Sequence, residues 1–217
     1  MIKGRIKEVY TDGTALILAP MDIDKFTRQK VKECYVEYID GRRLSDKQRR
    51  MCYALIREIA DWSGDTQEGT KTALKLEFWQ AHIESIGDKI FSLSNAPMSL
   101  VAEFQKYLID FIISNDVPTN VPLYEYVDDI KNYVYMCLIH KKCAICGKRA
   151  DLHHVDTIGM GNNRQEVAHL GREAISLCRE HHNEIHTRGY DEFMNLYHLE
   201  GGIEIDKTLL KIYGLKK

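Results

Sequence analysis

Thiols and imidazoles crowd into one stretch of this 217-residue chain. Cys143-Ala144-Ile145-Cys146-Gly147 is followed by Leu152-His153-His154-Val155-Asp156. Then comes Leu177-Cys178-Arg179-Glu180-His181-His182-Asn183-Glu184-Ile185-His186. A Cys-x-x-Cys pair closed by glycine lets two thiolates converge on one tetrahedral zinc ion. Cys178-x-x-His181 can complete a set of Cys143, Cys146, Cys178 and His181 for a structural Zn2+. Such a metal would pin strands to the following helix in a segment too short for a large core, so metal binding and folding are linked there.

That zinc does not use up the histidines. His182 and His186 stand four apart on an expected helix, hence on one face, and can grip a second ion together. His153 can add a third nitrogen. His154 would point the other way if the two adjacent histidines lie on a strand, which leaves it available as a base. Hydrolysis of a phosphodiester needs this division: a divalent cation (Mg2+, Mn2+, Ni2+ or Zn2+) to balance charge, and an imidazole near neutral pKa to take a proton from water. The alternative is that all these side chains hold structural zincs, in a DNA-binding finger or an inactive nuclease relic. A purely structural site has no use for the extra histidine beside His153.

On these residues, from about Cys143 to Gly189, the chain resembles the HNH endonucleases of the ββα-metal class. The resemblance implies that His153 is the strand ligand, His154 the general base, and His182 and His186 the paired helix ligands. It implies that Cys143, Cys146, Cys178 and His181 form the zinc knuckles, with His181 where many relatives have Cys. The middle Asn, which in the family orients the base loop, has no clear match. The usual interval back from His182 lands on Glu173, with His169, Asn162 and Asn163 as nearby polar candidates. Between the two halves of the motif, Gly159 and Gly161 permit a tight loop, and Arg164 is either a contact to DNA backbone or an ordinary exposed loop arginine.

These side chains need elements to position them. Lys3 to Val9 and Ala15 to Leu18, around the turn residues Thr11-Asp12-Gly13, predict a hairpin, and Val31 to Ile39 a third strand. Ser45 can cap a helix carrying Met51, Leu55, Ile56 and Ile59 at helical spacing, with Gly64 at its end. A second helix is expected over 66–86, a strand over 89–93, and a helix over 100–113. Residues 115–122 carry two prolines and read as a linker. Helical periodicity returns over 123–140, and the apolar residues after the motif suffice for a short capping helix and tail. The expected fold class is α+β: an N-terminal DNA-binding domain with a mixed or antiparallel sheet and helices (1–120), a connecting helix (121–140), and a small zinc-stabilised ββα-metal domain (141–217).

Gly41 to Arg50 holds five cations, Arg42, Arg43, Lys47, Arg49 and Arg50, against one acid. Cations at a helix N-terminus are opposed by its dipole, so external phosphates would compensate them if this is more than a solvated turn. With the Arg-x-Leu-Ser-Asp-x-Gln-Arg-like opening of the helix and Trp62 in the turn after it, 41–118 resembles the phage NinB or Orf recombination mediators. That resemblance implies a homodimer that binds single-stranded or branched DNA and works with single-strand binding protein and recombinase.

Composition sets the outer limits. With 44% hydrophobic residues, 4 prolines and a formal net charge of -2, the chain is neither disordered nor a global polycation. No apolar run approaches the roughly 20 residues of a membrane helix, and Met1 to Tyr10 lacks the apolar core of a secretory signal. A cytoplasmic protein is expected, in the host cytoplasm if phage-encoded. In that reducing setting clustered cysteines point to metal, while Cys34, Cys52 and Cys137 read as small buried hydrophobes.

Overall fold

The computed structural model of the chain describes residues 5–11, 15–18, 28, 42–82, 90–155 and 169–215. Helices and small antiparallel sheets make it an α+β protein, in two units, Met1–Ile39 and Asp40–Lys217. In the first unit β1 (Arg5–Val9) pairs antiparallel with β2 (Ala15–Leu18), forming the expected hairpin with one irregularity between Ile6 and Glu8. The third strand expected over 31–39 lies outside the described residues.

The second unit opens with α1 (Asp46–Ser63). The Ser45 hydroxyl accepts from the Gln48 N–H and the Gln48 side chain accepts from the Ser45 N–H, a reciprocal capping box. Gly64, at φ 73°, closes the helix in the left-handed region. Its buried face, Met51, Cys52, Leu55, Ile56 and Ile59, packs against α2 (Gln67–Ala81) and α3 (Met98–Ser114). Phe78, Phe91 and Phe104 meet there with ring centroids 5.1 to 5.8 Å apart, edge to face.

Two expected elements differ. Residues 90–93 form no strand; Phe91 and Leu93 bury their side chains among the helices, which satisfies their alternation without a ladder partner. The helix expected over 123–140 is broken into a 3-10 turn at Leu123–Glu125 and α4 (Ile130–His140). Asp129 starts the second piece, accepting from the Asn132 N–H, so a polar cap overrides the apolar periodicity. The expected 66–86 helix ends at Ala81, and residues 83–86 are not among those described.

A buried carboxylate ties the chain before α4 to α1. Glu58, 6% exposed, accepts from the Asn120 backbone N–H at 3.1 Å, the Asn120 amide at 3.0 Å and the Tyr126 hydroxyl at 2.7 Å. Residues 115–122, marked in the sequence by prolines, are thereby held against α1, with Val117 buried.

After α4 the chain forms β3 (Asp151–His154), β4 (Glu173–Leu177), α5 (Arg179–Arg188), α6 (Tyr190–Leu196), β5 (Ile203–Glu204) and α7 (Lys207–Tyr213). The sheet order is β3-β4-β5, all antiparallel. The sequence predicts one capping helix and a tail; instead two short helices flank a third strand. Gly202 makes room for that strand, because a Cβ there would lie 2.8 Å from Val155 Cγ2 and 3.1 Å from Glu173 Cβ. One continuous buried cluster runs from Met51 through Phe104, Leu138 and Ile175 to Leu210. No helix among the described residues is long and apolar enough to cross a membrane.

Replacing Tyr126 by Phe removes one donor from a buried carboxylate, and hydrogen bonds to charged groups contribute roughly 1.5–3 kcal/mol. A urea titration of Tyr126→Phe should show a loss of that size. An unmoved midpoint would mean that the Tyr126 bond to Glu58 adds nothing to stability.

Candidate metal centres

The hairpin Lys142–Arg149 carries the knuckle. Cys143 N–H donates to the Lys148 carbonyl at 2.7 Å and Gly147 N–H to the Cys143 carbonyl at 2.9 Å, which turns both thiols to one side. Ala144 N–H donates to the Ser176 carbonyl at 2.9 Å, and Tyr133 hydroxyl to the Ala144 carbonyl at 2.8 Å, so the knuckle is fastened to β4 and to α4. Cys178 caps α5 and His181 lies in its first turn.

The donor atoms of Cys143, Cys146, Cys178 and His181 all lie within 4.8 Å of one another. Cys146 Sγ is 3.7 Å from Cys178 Sγ, and His181 Nδ1 is 3.2 Å from Cys178 Sγ and 3.5 Å from Cys143 Sγ. A tetrahedron with bonds of about 2.3 Å to sulfur and about 2.0 Å to nitrogen has edges of about 3.8 Å between sulfurs and about 3.5 Å between sulfur and nitrogen. The observed spacings are close to those edges, so these residues can hold a metal such as zinc.

Their proton affinities differ for physical reasons. Burial pushes the Cys143 thiol up to about 12, and burial likewise raises Cys146. Burial pushes Cys178 upward too, but the His181 backbone N–H, the His181 ring and the neighbouring thiols together outweigh it and bring Cys178 down to about 7. The position of Cys178 at a helix N-terminus acts in the same direction.

A second cluster gathers His153, His182 and His186, also within 4.8 Å. The register His153↔Ile175 on β3 and β4 puts His153 over the α5 face that presents the other two. Ring centroids of His153 lie 4.7 Å from His182 and 5.1 Å from His186, and those two rings are 4.8 Å apart. Burial, then the neighbouring His182, His186 and His154, lower His153 to about 4, so its ring stays neutral and its lone pair accessible to a cation at neutral pH.

His154 follows on the opposite face of β3 and belongs to neither donor set. Its Nε2 lies 2.9 Å from His169 Nδ1. Of the candidates for the middle position, Glu173 begins β4 and accepts from the Val155 N–H through its carbonyl at 2.9 Å, while His169 reaches His154. Asn162, Asn163 and Arg164 lie outside the described residues.

The basic run is strapped to the turn before α3: Met98 N–H donates to the Arg42 carbonyl and Leu44 N–H to the Ala96 carbonyl. Arg49 pairs with Asp46 and Lys47 with Asp128, both at the surface. Arg43 and Arg50 are exposed. One contributor escaped the spacing pattern. Tyr197 sets its ring edge-on to His181 at 5.7 Å and donates to Glu184 at 2.9 Å, steadying α5 from α6. No spacing rule links it to the motif.

Elemental analysis should find one zinc per chain that survives gel filtration. Cys178→Ala should lose it together with thermal stability, whereas His186→Ala should keep it and lose only a more exchangeable ion. Retention of zinc in Cys178→Ala would refute the first donor set. In the metal-free protein the unfolded chain protonates His153 near 6.5 and the folded chain only near 4. The stability this histidine contributes is therefore present above about 6.5 and is lost as pH falls toward 4. Urea midpoints across that window should show the decline, and His153→Gln should flatten it.

The family described as "Putative HNHc nuclease" matches residues 18–216. No curated protein and no solved structure matches the chain. The family match spans both donor clusters and nearly all of the described fold, so the chain belongs to the HNH nuclease family.

Proposed function

We propose that the protein is a metal-dependent DNA endonuclease in which His154 is the general base, His153, His182 and His186 hold the catalytic cation, and Cys143, Cys146, Cys178 and His181 hold a structural zinc. One observation carries this reading. Three imidazoles converge on one point, while a fourth, adjacent in sequence to one of them, is left out of both donor sets. Family membership supports it independently.

His153, His182 and His186 would hold a divalent cation, which when bound would supply positive charge for the scissile phosphate and the leaving oxygen. His153, kept neutral, and the two helix histidines orient that site. His154 takes a proton from water as the water oxygen adds to phosphorus and one ester P–O bond breaks. The cysteine site holds β4 and α5 in the relation this geometry needs.

The role we assign the protein is phage-type DNA recombination in the cytoplasm. Residues 1–120 would bind single-stranded or branched DNA, 121–140 would connect, and 141–217 would cleave, in a homodimer working beside single-strand binding protein or recombinase. Arg42, Arg43, Lys47, Arg49, Arg50 and Arg164 are the proposed phosphate contacts. Arg43 and Arg50 support this most directly, because they are exposed and no ion pair is formed by either among the described residues. Tethering a DNA-binding segment to a weakly binding nuclease raises the effective concentration of the substrate.

A second reading, a mediator whose HNH fold only docks DNA or partners, is favoured by the lack of a clear match to the family's middle Asn, for which Glu173, His169, Asn162 and Asn163 are the candidates. Supercoiled plasmid incubated with Mg2+, Mn2+, Ni2+ or Zn2+ separates the two. The wild type should nick it, and His154→Ala should cut about 100-fold more slowly with both metals retained. Absence of nicking with every metal would favour the mediator. Gel shifts on single-stranded DNA should weaken with salt, and Arg43→Glu with Arg50→Glu should reduce both the affinity and the slope.

A further inference from the structure

A cavity of about 710 Å³ opens beside the first donor set, between the segment 116–124, the knuckle and α6. That volume lies in the range of roughly 300–1,000 Å³ usual for small-ligand sites. Buried Val117, Tyr133 and Ile145 form its floor. Tyr124 and Tyr197 also line it, with ring centroids 6.0 Å apart and an interplanar angle of 84°, which makes an aromatic corner that a flat ring fits.

Two polar groups of the lining narrow the ligand. Asn120 donates to Glu58 Oε2 through both its backbone N–H and its side-chain Nδ2. A carboxylate only accepts, so the Glu58 contact fixes the amide nitrogen and leaves Asn120 Oδ1, which has no partner among the described residues, as an acceptor. Lys142 is held by Asp116, but Lys148 reaches Glu180 only at 3.5 Å, with side chains 69% and 73% exposed. Such a surface pair contributes little, so an incoming anion can recruit the lysine. An aromatic side chain from a protein partner would use neither the acceptor nor the cation. A nucleotide uses both, through an N–H edge on its base and the phosphate beside it.

We propose that this cavity is a slot for one unpaired nucleotide of a DNA strand, with the base against Tyr124 and Tyr197, its N–H edge donating to Asn120 Oδ1, and a flanking phosphate on Lys148. This rests on the reading of DNA as substrate and narrows it to DNA with a nucleotide outside the double helix. A base inside a duplex is stacked and paired, so one that is already unpaired enters at least cost. Cys146 borders the cavity, and His181 of the same donor set directly precedes His182, so α5 links the slot to the three-histidine site.

The test is fluorescence anisotropy of the full-length, zinc-loaded protein with three DNAs: a paired duplex, the same duplex with one bulged adenosine, and the same duplex with an abasic bulge. The adenosine bulge should bind about 10-fold more tightly than the paired duplex, and the abasic bulge should lose that gain. Tyr124→Leu and Lys148→Glu should each remove most of it, whereas Arg43→Glu with Arg50→Glu should weaken all three DNAs alike. Lys148 is exposed, so its variant serves if Tyr124→Leu misfolds. Equal affinity for the adenosine and abasic bulges, or a gain that survives both substitutions, would overturn the proposal. If no DNA binds, the reading of DNA as substrate fails by itself, and millimolar dAMP decides the slot. A shift of the Asn120 side-chain amide resonances would then support a site for a free nucleotide. No shift, or a shift with N-acetylphenylalanine amide in its place, would overturn it.

Discussion

Four donor atoms, two from a knuckle after α4 and two from the junction of β4 with α5, meet within 4.8 Å, and the rest of the C-terminal region depends on that convergence. An ion held by these segments would fix the β4–α5 angle, because Cys178 directly follows the strand and caps the helix. The angle in turn brings His182 and His186 beneath His153. A small sheet of three strands, the last only two residues long, would gain rigidity from such a cross-link as well as from packing.

The remainder of the second unit is a helical platform continuous with that sheet. Leu138 and Val134 of α4 share one buried cluster with Ile175 and Leu177 of β4 and with Leu55 and Phe104 of the earlier helices. Glu58 extends the platform by holding residues 120 and 126 through a buried carboxylate, which tolerates burial because three donors satisfy it. The two donor sets differ in ligand type: one is mostly thiol, the other purely imidazole, so they would select cations by different chemistry.

Much of this was legible residue by residue. Ser45 and Gly64 bound α1 where the capping pattern puts them, since those effects act within a few residues. The two donor sets were legible for a similar reason, as ligand spacing is a local constraint set by a turn or a helical repeat. The misreadings share a cause as well. Phe91 and Leu93 alternate as a strand does, yet bury among helices, because alternation reports a buried face and not the partner that buries it. Residues 123–140 have helical periodicity, yet Asp129 interrupts them with a polar cap.

Residue identity alone marked the candidate ligands: which side chains can bind a metal, which thiols pair in a knuckle, and which histidines share a helix face. Only the tertiary structure decided that the fourth histidine of the motif meets His169, that Tyr197 steadies α5, and that Gly202 lets a third strand lie beside Glu173. The difference is one of range. Spacing within a turn or a helix is dictated by backbone geometry and can be counted along the chain, whereas contacts between distant segments depend on how the core packs, and no local period encodes them.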